Sequence, residues 1–231
     1  MMHLKFSSTI ITCEHAGNDV PEEYQSLFNG ADEILQSHRG WDAGAIEIAR
    51  WLQSKRNISL FYTNVTRLLI ETNRSINHTE LFSIYSQSLT EDVKEKIKQQ
   101  YYFPYRNAVE DCIHSLAKPV LHLSIHTFTP ELNNIKRKTD IGLLFDPSRK
   151  LESACCSHLR EKLTLLLPTY QIDFNEPYAG VDDGFTTYLR AKFNDEEYAG
   201  IEIEVNQKYF SEDDRPKISG AVNDALTGIL D

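Results

Sequence analysis

Thiolate pairs, a basic charge excess and long apolar runs are all missing from this sequence, and each absence closes off a class of function. The four cysteines, Cys13, Cys112, Cys155 and Cys156, show no CxxC spacing, and two adjacent residues make an awkward disulfide. Neither a thiolate metal site nor a disulfide framework is expected, and the four read as reduced residues, mostly in the core. Lys and Arg number 24 against 34 Asp and Glu, a formal net charge of -10, which lacks the footprint that nucleic acid or an anionic membrane requires. No apolar stretch approaches the length of a bilayer span, and Met1-Met2-His3-Leu4-Lys5-Phe6 has no apolar segment behind it. The reading is a soluble, cytoplasmic protein whose partner is a small molecule.

What is present fits one globular domain over residues 1–231. At 41% hydrophobic and 25% charged, the chain can fill a sizeable core and leaves no surplus for disorder. Strand-like runs at 8–13, 58–64, 120–126, 141–145 and 200–205 alternate with helical stretches, which predicts an α/β sandwich with a largely parallel sheet. A helix over Asp42–Lys55 carries Ala45, Ile46, Ala49 and Leu52 at helical spacing, with Asp42 where an N-cap belongs. A longer helix begins near Thr90 and is kinked or broken by Pro104 before continuing through Val109, Ile113 and Leu116. The stretch 170–184, QIDFNEPYAGVDDGF, reads as a polar, glycine-containing loop of the kind that carries function.

Polar residues recur where one face of a strand ought to be apolar. In VLHLSIHTF, Leu121, Leu123 and Ile125 alternate with His122, Ser124 and His126; in IEIEVNQ, Ile201, Ile203 and Val205 alternate with Glu202, Glu204 and Asn206. An edge strand with one solvated face explains either segment alone. The two together, with Glu14 and His15 of CEHAGNDVP at the end of a third strand, suggest instead that two imidazoles and a carboxylate meet at one end of the sheet. Such a set would hold Zn²⁺ with an open coordination position, a second glutamate serving as base. Each candidate has a plain structural use as well: His15 in a turn, His122 as a core histidine, Asp42 as a helix cap, ETNRS as a turn.

Seven segments in order, CEHAGNDVP, RGWDAGA, TRLLIETNRS, SIHTF, RKTDIGLLFD, NEPYAGVDDG and GIEIEVNQ, resemble the N-formylglutamate amidohydrolase family over most of the chain. That family is similar in fold to zinc carboxypeptidases and aspartoacylase-like deacylases, which implies a three-layer sandwich with a mixed, largely parallel sheet. The resemblance implies a metal ligand at His126 in SIHTF, a carboxylate-gripping pair at Asn73 and Arg74 in TNRS, and a catalytic glutamate at Glu204, with Glu202 its rival. A carboxypeptidase's first motif is His-x-x-Glu, whereas Asn18 stands three residues after His15, so the carboxylate ligand is sought at Asp42. Arg67, Arg137 and Tyr178 are assigned to remaining substrate oxygens by resemblance. The implied activity is a zinc-dependent hydrolysis of an N-acyl amino acid, N-formyl-L-glutamate first. The alternatives are another N-acyl or peptide-like amide, or a non-catalytic binder of acidic amino acids.

Overall fold

The computed structural model describes residues 4–211 and 213–230. Along the chain the first elements are β1 (Ser8–Cys13), α1 (Asp32–Leu35), α2 (Ala45–Arg56), β2 (Ser59–Tyr62), α3 (Glu91–Ile97) and α4 (Phe103–Ser115). Then come β3 (Val120–Phe128), the short strands β4 (Glu131–Leu132) and β5 (Ile135–Lys136), β6 (Ile141–Leu144), α5 (Lys150–Leu166), β7 (Ile172–Phe174), α6 (Phe185–Arg190), β8 (Tyr198–Asn206) and α7 (Asp214–Ala225). Six strands form one sheet in the order β2-β1-β3-β8-β6-β7. Every neighbouring pair is parallel except β6 with β8. The expected α/β class and mixed, largely parallel sheet are therefore present.

Period-two alternation explains how the layers assemble. Ile11, Cys13, Leu121, Leu123, Ile125, Ile201, Ile203 and Val205 point to one face and pack under α2, α5 and α7. The opposite face carries Ile10, Val120 and Tyr198, covered by Val109 and Ile113 of α4 and Phe185 and Leu189 of α6. The two strands with polar faces are central, not edge strands: every residue of β3 is buried. Their histidines and glutamates therefore point into the interior, where an unpaired charge is costly, and the solvated-edge explanation fails.

Three local expectations are corrected. The helix expected from Asp42 starts at Ala45 with Gly44 as its N-cap; Gly44 sits at φ 86°, so a left-handed turn, not an aspartate cap, opens it. Of the two outcomes expected at Pro104, a kink or a break, the break does not occur. A π turn over Lys98–Tyr102 joins α3 to α4, and this wider turn accommodates the proline, which has no N–H to give and crowds the preceding turn. The stretch 170–184 is not wholly loop, since Ile172–Phe174 pairs with β6 as β7; three residues are too few for alternation to announce a strand.

Candidate active site

Three parallel strands deliver their carboxyl ends to one crevice, the usual place for a site in a sheet of this class. His15 follows β1, His126 lies near the end of β3 and Glu204 near the end of β8. Asp42 arrives from the turn before α2, where its backbone N–H donates to the His15 carbonyl at 3.0 Å. His15, Asp42 and His126 are 2%, 4% and 2% exposed. Both imidazole Nδ1 atoms face one oxygen, Asp42 Oδ2, at 3.2 Å from His15 and 2.8 Å from His126. One ligating atom from each of the three lies within 4.8 Å of the others. Two imidazoles and a carboxylate, buried and convergent, are the donor chemistry of a divalent transition metal.

The outer nitrogens of these imidazoles are occupied too. His15 Nε2 lies 2.5 Å from Glu71 Oε1. His126 Nε2 lies 2.9 Å from Ser124 Oγ and 3.1 Å from Glu14 Oε2. Glu14 also accepts from the Ser124 hydroxyl at 2.6 Å and from the Tyr105 hydroxyl at 2.8 Å. Glu14 and His15 are adjacent in sequence, yet they serve different partners: Glu14 reaches His126 and His15 reaches Glu71. Carboxylates behind metal-binding imidazoles fix ring orientation and the side on which the proton sits. From the sequence, Glu14 stands out without a role and Glu71 has none beyond the ETNRS turn. The signal available was the rule that a ligating histidine needs a partner for its other nitrogen.

Glu204 is the outlier among these carboxylates. It is 5% exposed, and its Oε2 has no hydrogen-bond partner. Burial, aided by the nearby charges of Asp42 and Glu202, pushes its pKa up to about 8 against the pull of His126. By contrast, Glu202 Oε1 accepts the Thr186 hydroxyl at 2.6 Å. Gly142 stands opposite Glu204 in the antiparallel ladder, and a Cβ there would come 1.9 Å from the Glu176 carbonyl oxygen and 3.3 Å from Glu204 Cβ. Only glycine lets β6 and the 176 loop approach this closely.

A cavity of about 190 Å³ opens over these groups, lined by the three candidate ligands, Glu202 and Glu204, and by Asn73, Arg74, Arg67, Arg137 and Tyr178. The structure thus brings every sequence-predicted site residue to one cavity, although they differ in what else they hold. Arg67 Nε donates to Glu71 Oε2 at 2.6 Å and its Nη1 reaches Asp42 Oδ1 at 3.4 Å, so its charge is already shared. Asn73 Oδ1 accepts from the Phe185 N–H at 2.7 Å, which leaves its amide nitrogen for a ligand. One guanidinium nitrogen of Arg74 donates to the Asp183 carbonyl. Arg137 donates to the Tyr178 hydroxyl at 3.1 Å and lies over the Phe128 ring. His122 belongs elsewhere: it is fully buried between the Thr12 hydroxyl at 2.7 Å and the Tyr198 hydroxyl at 2.6 Å, a core histidine.

Beneath the 72–74 segment runs α4. Arg106 donates to the Thr72 and Arg74 carbonyls at 2.9 and 3.3 Å, and the Tyr102 hydroxyl donates to the Arg74 carbonyl at 2.8 Å. The Arg106 guanidinium is enclosed by the rings of Tyr102, Phe185 and Tyr188, at 4.3 to 4.9 Å from their centroids. None of this support is legible in the sequence, because nothing local links α4 to a turn about thirty residues earlier.

Residues 7–211 match the family described as N-formylglutamate amidohydrolase. Among solved structures, gene product Atu2144 from Agrobacterium tumefaciens is similar, with 25% identity and a TM-score of 0.78 over 95% of this chain and 89% of that one. Weaker likenesses are to an N-acetylmuramoyl-L-alanine amidase from Clostridium difficile 630 (12% identity, TM-score 0.44, 95% of each chain) and to a metallo-carboxypeptidase from Burkholderia cenocepacia (11%, 0.41, 95% of this chain and 56% of that one). No curated protein matches the chain. No helix among the described residues is long and apolar enough to cross a membrane.

Proposed function

Because the chain belongs to the N-formylglutamate amidohydrolase family, we propose that it is a zinc-dependent hydrolase of N-acyl amino acids, acting first on N-formyl-L-glutamate to give formate and L-glutamate. The observation that carries this reading is Glu204: a buried carboxylate with an unpartnered oxygen, in the same cavity as two imidazoles and a carboxylate that suit a metal. A group that only held the fold would be paired, as Glu152 is with Arg190.

His15, Asp42 and His126 would hold the metal, which when bound supplies a Lewis acid that polarises the amide carbonyl and acidifies water. Arg74 suits the substrate α-carboxylate, because a planar guanidinium presents two parallel donors, and the Asn73 amide nitrogen lies beside it. Arg137, braced by Tyr178, suits a second carboxylate, that of a glutamate side chain. Arg67, next to Asp42, suits the carbonyl oxygen as negative charge develops on it. Glu204 takes the proton of the attacking water at its free oxygen and delivers it to the leaving nitrogen as the C–N bond breaks. A carboxyl poised near neutrality is matched to both halves of that transfer.

The test is turnover by the purified, zinc-supplemented chain on N-formyl-, N-acetyl- and N-succinyl-L-glutamate and on N-formyl derivatives of neutral amino acids. Formate release fastest from N-formyl-L-glutamate supports the reading. Release from none of the substrates, with zinc bound, overturns it.

A further inference from the structure

We propose that Glu71 is a positioning residue of the metal centre, holding His15 by its Nε2 proton so that Nδ1 faces Asp42 and His126. The inference rests on the metal-centre reading of His15, Asp42 and His126 above. Glu71 is 6% exposed and makes bonds in three directions. Its Oε1 lies 2.5 Å from His15 Nε2 and accepts the Asn73 backbone N–H at 3.0 Å. Its Oε2 accepts from Arg67 Nε at 2.6 Å.

A carboxylate can only accept in all three contacts, and that one-sidedness does the chemistry. Facing an acceptor, Nε2 of His15 must carry the proton, so the lone pair of a neutral His15 ring falls on Nδ1, the atom turned toward Asp42. Arg67 Nε and the Asn73 backbone N–H both point their hydrogens at this carboxylate, so its two oxygens are held as acceptors. The same carboxylate anchors the backbone of Asn73, next to Arg74, and so ties the metal ligand to the segment proposed to grip substrate.

Glutamine cannot reproduce this. With its oxygen toward His15 and Asn73, its NH₂ meets the Arg67 guanidinium, donor against donor. Turned over, its NH₂ meets the Asn73 N–H and presses His15 to carry its proton on Nδ1, where the metal should bind. Either orientation breaks a contact, while size and shape hardly change.

The experiment measures zinc affinity by chelator competition on the whole chain, comparing wild type, Glu71→Gln, His15→Ala and Glu152→Gln. Glu152 is a fully buried carboxylate, paired with Arg190 at 3.0 Å, outside the cavity. Glu71→Gln should weaken zinc about 10- to 100-fold, the usual effect of removing a partner behind a ligating histidine. Glu152→Gln should lose stability and keep wild-type zinc affinity. If His15→Ala abolishes zinc binding and Glu71→Gln binds it like wild type, the role of Glu71 is overturned while the metal centre stands. If His15→Ala binds zinc normally, the metal-centre reading falls and takes this inference with it. Should Glu71→Gln not fold, ¹⁵N NMR of the zinc-loaded wild type decides: His15 coordinated through Nδ1 with Nε2 protonated supports the proposal, and coordination through Nε2 overturns it.

Discussion

His126 and Glu204 are register partners on the adjacent parallel strands β3 and β8, so a candidate metal ligand and the proposed base leave the same face side by side. Two residues earlier, Ser124 and Glu202 are paired in the same way. The ladder thus assigns different tasks to the two glutamates, since Glu202 is held by Thr186 and Glu204 keeps a free oxygen. We expect Glu204→Gln to retain metal and substrate binding and to lower kcat at least about 10²-fold, because the amide keeps the shape and loses the basicity. Glu202→Gln should lower it much less. Steady-state kinetics on both variants, with bound metal quantified, checks this, and the reverse pattern would exchange their roles.

Elemental analysis should find about one divalent metal per chain in the wild type and none in His15→Ala or His126→Ala. Asp42→Asn should lose the metal as well, without unfolding α2, because Gly44 and not Asp42 is the N-cap. Metal retained in the Asp42 variant would remove Asp42 from the ligand set.

Arg74→Lys keeps the charge and loses the fork. With an N-acyl amino acid as the free acid, kcat/KM should fall by about 2 to 4 kcal/mol in transition-state free energy. With the same substrate amidated at its α-carboxylate, wild type should already be slow and the variant little slower. Equal losses on both substrates would make Arg74 a support for the 71–75 turn and nothing more.

Burial lowers His122 from about 6.5 to about 4, since the folded core favours the neutral ring. Between those values the unfolded chain binds a proton that the native chain does not, so this residue's contribution to stability falls as the pH drops from about 6.5 to about 4. The loss over that window amounts to up to about 3 kcal/mol. Urea unfolding of His122→Gln against wild type across this range should show a shallower acid decline in the variant. Parallel curves would refute the contribution of His122.

How far the sequence discloses this site follows from how local each relationship is. Alternation in VLHLSIHTF and IEIEVNQ is a short-range property, and it shows that polar side chains share a face before any strand order is known. His122 and His126 have the same parity, however. What separates a core histidine from a candidate ligand is distance from the carboxyl end of β3 and the cover of Phe185, which only the assembled layers supply. Glu71 meets His15 across 56 residues, and no periodicity announces such a pairing. Asp42 reads as a helix cap because its residue type and place fit one; the left-handed Gly44, two residues on, moves the helix start and releases the aspartate to the cavity.

The π turn at Lys98–Tyr102 works as an angular gear between two surfaces. Upstream, Val93 and Ile97 are set into the cluster of Tyr24, Phe28 and Leu69. From its last residue onward, Tyr102, Tyr105 and Arg106 reach the Arg74 carbonyl, the Glu14 carboxylate and the Thr72 carbonyl. Each helical residue advances the azimuth by about 100°. Removing one residue from 98–101 would therefore leave the helix as helical as before, yet swing all three downstream side chains away from the groups they brace. The number of residues in that turn, more than their identity, sets whether the back wall of the cavity is in phase with its front.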